Sequence, residues 1–359
     1  MNINLKAAVF AVAAMLGTQL SESAVKRFEV APREGRDMTA AIQRTVDRAA
    51  RWQSGHPADT AVVALRPGSV YEISRKAASQ LPYHVSNTAS KEENPATPLK
   101  HVGIVMRNLR NFIFDGCGAR ILTHGEMTPW VIDRCEGVAM RRFAIDAADP
   151  SVAEMTVVEV DDTSFTAEVN PRSRYEIVDG KLWWTGDGWR FTDGIAQLYD
   201  PSDTVTLRCG SPVVDARRVE ESAPGRLRFI YGKAPGTKPG ITYQMRHSFR
   251  NEVGGLIVGS DGVELRDIDF NFLGNFGIVA QTSGNISYRS LRFAPDAATT
   301  GRTAAGFADF LQVSGCRGKI IIDSCLFAGS HDDPINIHGT HLRVVGWADG
   351  GRRATLRYM

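Results

Sequence analysis

The chain has 359 residues, enough for one large domain or two modest ones. Its 42 Lys and Arg stand against 40 Asp and Glu, so no concentrated basic face marks a nucleic-acid-binding protein. Hydrophobic residues at 43% and charged residues at 23% are ordinary for a soluble globular protein. The 34 Gly suit many short strands and tight turns better than a helical bundle.

Lys6 and the apolar run 7–17, AAVFAVAAMLG, read as a secretory signal, because the run falls short of the ~20 residues that span a bilayer. Ser21-Glu22-Ser23 offers small residues two apart, so cleavage is expected before Ala24. The mature protein is then secreted or periplasmic, with no membrane span. The competing reading is a buried N-terminal helix. Five cysteines (Cys117, Cys135, Cys209, Cys316 and Cys325) leave at least one thiol free and lack metal-ligand spacing. They read as small buried residues, and no metal is expected.

Residues 24–149 read as the first coils of a right-handed parallel β-helix, an all-β fold. A helix opens them, with Asp37 at its N-cap and Met38, Ile42, Val46 and Ala49 on one face. Such a helix covers an edge that would otherwise stay unpaired. The strand of TAVVALRPGSVYEIS follows. FIFDGCGARI and VAMRRFAID then repeat one pattern, with Phe112 and Val138 26 residues apart.

Residues 150–247 break the period. EVDDTSFTAEVNP, YEIVDGKLWWTGDGWRF and DTVTLRCG alternate like antiparallel hairpins with Asp-Gly turns, so an inserted β-barrel or sandwich is expected. Trp183, Trp184 and Trp189 read as a sugar-stacking platform or as hairpin core, and cross-strand packing favours the core. The coils resume over 248–359. VELRDIDFN, ISYRSLRFA and IIIDSCLFA align with steps of 23 residues (Val263 to Ile286) and 34 (Ile286 to Ile320), the second including an eleven-residue loop.

The acidic positions gain meaning from that period. Asp309 precedes FLQV, and Asp332-Asp333 precede PINIH, 23 residues on. Residues one coil apart stack in neighbouring strands about 4.8 Å apart. Three carboxylates in that volume raise at least one pKa, placing a protonated acid beside an ionised base. Glycoside hydrolysis needs that pair. Solvated turn aspartates or a Ca²⁺ site are the competing readings. The register with Asp309, and nearby His331, Asn336, His338 and His341, favour the active site. Alternation puts Asn336 and His338 outward and Ile335 and Ile337 inward. Gln281, in IVAQ one coil earlier, falls in a similar column.

HDDPINIHGTHLRVV, FADFLQVSGCRGKIIIDSCLFAGS and GNFGIVAQTSGNISYRSLRF resemble glycoside hydrolase family 110. These are α-1,3-galactosidases that remove terminal galactose from blood-group B type and linear Galα1-3Gal glycans. LPYHVSNT, MTPWVIDRCEGVAMRRFAID and RHSFRNEVGG are similar to family segments too. The resemblance implies an exo-acting, inverting, metal-independent hydrolase that needs no cofactor and acts on a glycan or glycoconjugate ending in α-galactose. It implies Asp332 as general acid and Asp309 or Asp333 as base, with Tyr83, His84, Asn87, Trp130 and Arg250 bordering the sugar. The family pattern continues with further coils, so a C-terminal part is expected to be missing. A polysaccharide lyase on the same fold and a non-catalytic carbohydrate-binding β-helix are the alternatives. The lyase is disfavoured because the site strand carries no Lys.

Overall fold

A computed structural model describes residues 23–86 and 99–358; the expected signal over 1–22 and the candidate Asn87 lie outside them. The described chain is mostly strand, as the all-β reading expects. No helix among the described residues is long and apolar enough to cross a membrane. All five cysteines are free thiols.

Two sheets dominate. One orders Val25–Glu29, Thr60–Ala64, Arg110–His124, Glu136–Ala147, Asp261–Phe270, Gly284–Phe293 and Arg317–Asp323 side by side, all parallel. The other runs Leu99–Arg107, Thr128–Asp133, Gly255–Val258, Ile278–Gln281, Leu311–Ser314 and Ile335–His338, also parallel, with Ser79–Pro82 antiparallel at its edge. From Leu99–Arg107 on, apart from the antiparallel strands of 153–246, the chain passes back and forth between the two sheets, returning one strand further along. The units matched in sequence pair where their alignment put them: Phe112 with Val138, Val263 with Ile286, and Ile286 with Ile320.

The phenylalanine that closes each unit has a structural cause. Phe270 stacks on Phe293 at 4.8 Å, and Phe293 on Phe327 and Phe310 at 5.0 Å each. Phe293→Ala removes the middle ring and is expected to cost about 3 kcal/mol, readable as a shift in the urea midpoint. That is the low end for Phe, because half-buried Phe327 can relax into the space.

The opening helix is Thr39–Ser54, with Ile42, Val46 and Ala49 buried as the periodicity requires. Its start corrects the sequence reading: Met38 holds the N-cap position, and Asp37 stands one residue earlier. Asp37 still caps in effect, since its Oδ1 accepts the Thr39 N–H at 2.8 Å.

Between the parallel strands, residues 153–246 form a seven-stranded antiparallel sheet and a three-stranded one. Asp179 and Gly180 both have positive φ (51° and 74°) and join Arg174–Val178 to Lys181–Gly186, a two-residue turn that favours Asp-Gly. Trp184 is fully buried in this unit's own core, edge-on to Tyr175. Trp189 packs against Phe191, and Trp183 lies under the Arg190 guanidinium.

Residues 342–358 differ from the expected coil. Leu342–Ala348 and Arg353–Tyr358 make an antiparallel hairpin, reversed through Asp349, Gly350 and Gly351, all at positive φ. Ile335 and Ile337 continue the columns of Leu311 and Val313, which are core residues. With Ile335–His338 last in its sheet, these two are 39% and 59% exposed, where alternation had placed them inside.

Candidate active site

Asp309 and Asp333 each lie two residues before a strand, and those strands are neighbours in register, Leu311 beside Ile335. The Phe310 N–H donates to the Asp333 carbonyl at 3.1 Å, carrying the alignment past the strand ends. Asp333, rather than Asp332, therefore stands over Asp309. The local step is 24 residues, one more than the 23 of the Val263 coil.

Asn336 gathers the pair. Its side-chain amide donates to Asp309 Oδ2 at 3.4 Å and to Asp333 Oδ2 at 3.2 Å. The outward face assigned to Asn336 by alternation is what lets it reach both. Asp332 turns to Arg250, whose Nη2 donates to Asp332 Oδ2 at 2.7 Å while its guanidinium lies over the Phe276 ring.

The three carboxylates differ in exposure. Asp332 and Asp333 are exposed, whereas Asp309 is 3% exposed. Burial pushes the Asp309 carboxyl up to about 6, with Asp332 and Asp333 adding to the rise and Arg250 and Asn336 opposing it. Crowding among acids was the sequence argument for a raised pKa. Desolvation is the larger cause here.

Two arginines at the site, the buried Arg246 and the exposed Arg208, escaped the sequence reading. Arg246 is fully buried against the Phe307 ring, and burial, then Arg250 and Arg208, bring it down to about 10. Arg246 shares the polar face of Thr242–Arg246 with Thr242 and Gln244, which alternation in TYQMR could have shown. Arg208 donates to the His331 carbonyl at 2.7 Å. The His331 ring is buried, and burial with Arg246 and Arg208 nearby holds it well below the usual imidazole range. His331 is thus a neutral interior group, not an exposed sugar contact. Arginine reaches the carboxylates from another segment, so the strand's own lack of Lys does not separate hydrolase from lyase.

The remaining candidates fall elsewhere. His338 lies at the far end of its strand, with its Nε2 2.9 Å from the Gln312 side-chain nitrogen, and His341 stacks on it at 4.9 Å. Gln281 shares the His338 column but two rungs away, with Ser314 between. Its side chain holds the segment 84–86, donating to the His84 carbonyl at 2.7 Å and accepting from the Ser86 N–H at 3.0 Å. Tyr83 is buried between Arg107 and Asp133, donating to the Asp133 carboxylate at 3.0 Å. This segment lies at the opposite strand ends from Asp309 and Asp333. Trp130 is buried in the main hydrophobic core, against the Gly255 backbone, and does not line the site. Among the described residues, no group of three or more His, Cys, Asp or Glu side chains is arranged to hold a metal ion.

Fold and site together define an all-β protein with a carboxylate cluster at the strand ends of a parallel sheet. A family model described as GLAA-B beta-barrel domain I matches residues 153–241, the antiparallel unit. The chain is 43% identical over 92% of its length to alpha-1,3-galactosidase A of Bacteroides thetaiotaomicron, covering 57% of that protein. It is 33% identical to alpha-1,3-galactosidase A of Streptomyces avermitilis, over 90% of this chain and 54% of that one. Alpha-1,3-galactosidase B of Bacteroides thetaiotaomicron is 27% identical over 85% of this chain and 48% of its own. The chain is a homologue of these proteins, and its resemblance to glycoside hydrolase family 110 rests on nearly its whole length. It spans about half the length of the curated relatives it matches.

Proposed function

We propose that this chain carries the catalytic site of a secreted, exo-acting, inverting α-1,3-galactosidase built on a right-handed parallel β-helix, with residues 150–247 as an inserted domain. The observation that carries the reading is the Asn336 amide shared by Asp309 and Asp333, beside an Asp332 held by Arg250. Two carboxylates on one donor make a cradle for a water. The third, Asp332, takes a different partner, Arg250, as separate acid and base roles in cleaving a glycosidic bond require. Homology to proteins named alpha-1,3-galactosidase supports galactose as the released sugar.

In this reading Asp309 and Asp333 form the base, and Asp332 donates the proton to the leaving oxygen. A base near pH 6 suits neutral operation, because it is ionised yet still accepts a proton readily. The substrate is a glycan or glycoconjugate ending in α-galactose, branched blood-group B type or linear Galα1-3Gal. Incubation with Galα1-3Gal, followed by NMR of the nascent anomers, is expected to show β-galactose first. α-Galactose appearing first overturns the inverting mechanism. An unsaturated uronate product from an acidic polysaccharide, with no galactose released, replaces the reading with a lyase.

A further inference from the structure

The antiparallel unit presents one polar row to the parallel sheets. Arg208, Gln197, Gln244 and Glu154 are register partners in sequence across four adjacent strands: Arg208 beside Gln197, Gln197 beside Gln244, and Gln244 beside Glu154. Alternating residues of the same strands, Ala196, Met245, Ala153, Tyr243 and Met155, face the unit's own core. Gln197, Gln244 and Glu154 are all buried. A buried polar row weakens a sheet unless every member is bonded, so its partners reveal its use.

The partners are the two segments that lead into the carboxylates. Glu154 accepts the Thr303 N–H at 2.8 Å, the Thr303 hydroxyl at 2.7 Å and the Ala304 N–H at 3.0 Å. Gln244 donates to the Thr303 Oγ1 at 2.6 Å. Gln197 donates both to Gln244 Oε1 at 2.7 Å and to the Ser330 carbonyl at 2.9 Å. Arg208 takes the next carbonyl, that of His331. One continuous chain of hydrogen bonds thus runs from the residues before Asp332 to the residues before Asp309. The two segments also meet directly, the Ala305 N–H on the Gly329 carbonyl at 2.9 Å.

We propose that this row is a positioning platform: the antiparallel unit fixes the distance between Asp309 and the Asp332–Asp333 pair, and so is a working part of the site. Its catalytic meaning rests on the galactosidase reading. None of the four residues is a catalytic residue; they act through backbone they hold. Misplacement of reacting groups by about 1 Å costs on the order of 10²-fold in rate, so a loosened platform acts on turnover more than on binding.

The test uses Gln244→Met, which keeps the size and removes the hydrogen bonds, and the pair Thr303→Val and Thr303→Ser. Amide hydrogen exchange is followed without substrate, and kcat and KM with Galα1-3Gal. Gln244→Met and Thr303→Val are expected to speed exchange at 303–310 and 329–334 at least about tenfold, with strands 153–160 and 242–246 changed less than about threefold. Their kcat is expected to fall about 10²-fold with KM within about threefold, and Thr303→Ser is expected to behave as the parent. Unchanged exchange at both segments, or faster exchange throughout the antiparallel unit with a matching loss of melting temperature, overturns the platform. If Gln244→Met does not fold, Thr303→Val against Thr303→Ser decides by the same measures. Absence of galactose release by the parent chain overturns the galactosidase reading, and the exchange experiment still decides the platform.

Discussion

Asp332→Asn is expected to lower galactose release at least about 10³-fold while leaving the protein folded. The substitution preserves shape but removes the proton the leaving oxygen requires, and general acid catalysis with transition-state charge stabilisation accounts for a loss of this size. The fold has little reason to respond. Asp332 is exposed, and its one ion pair, with Arg250, is of the partly solvated kind that contributes no more than about 1 kcal/mol. The carbonyl of the new amide still accepts from Arg250. Steady-state turnover beside thermal melting separates the two effects. Turnover within tenfold of the parent would remove Asp332 from the chemistry.

Asp309→Asn is expected to abolish turnover and to stabilise the protein. The Asp309 carboxyl stands at about 6 in the folded chain against 3.8 for the ordinary side chain. A carboxyl raised on folding contributes nothing unfavourable at low pH, where it is protonated in both states. Its ionisation then costs the folded state more than the unfolded one. The penalty grows from about pH 4 and saturates above about pH 6, on the order of 3 kcal/mol. The substituted amide does not ionise, and it keeps an acceptor toward Asn336. Urea midpoints should therefore coincide at pH 3.5, with the variant ahead at pH 8. Equal stability at pH 8 would show that Asp309 ionises without penalty. On the proposed function, the parent chain's turnover is expected to rise through about pH 6 as the base ionises. A fall through that pH instead would make Asp309 the acid and Asp332 part of the base.

Much of this was legible because a parallel stack converts sequence separation into spatial neighbourhood. Val263 with Ile286, and Ile286 with Ile320, could be aligned by eye and pair in the sheet. The same rule brought Asp309 to the Asp332-Asp333 pair. It could not choose between those two, since one extra residue in a coil moves the register by one and exchanges which carboxylate stands over Asp309. The assignments around Tyr83, His84 and Trp130 rested on resemblance alone. Their packing, against Arg107, Gln281 and the core respectively, depends on distant partners.

The sequence by itself determined the all-β class, the repeat unit with its stacked phenylalanines, the antiparallel interruption and the acidic pair with Asn336 on its outward face. Each of these follows from periodicity or from turn chemistry, which act over a few residues or one coil. Only the tertiary structure decided that Asp309 is the buried member, that Arg250 takes Asp332, and that Arg246 and His331 lie beneath the site, shielded from solvent. Only it decided, too, that Glu154 and two glutamines from the inserted unit hold the carboxylate segments. The physical reason is range: desolvation and hydrogen bonding depend on what the whole fold brings within a few ångströms, and residues 154 and 303 are neighbours only once both sheets have formed.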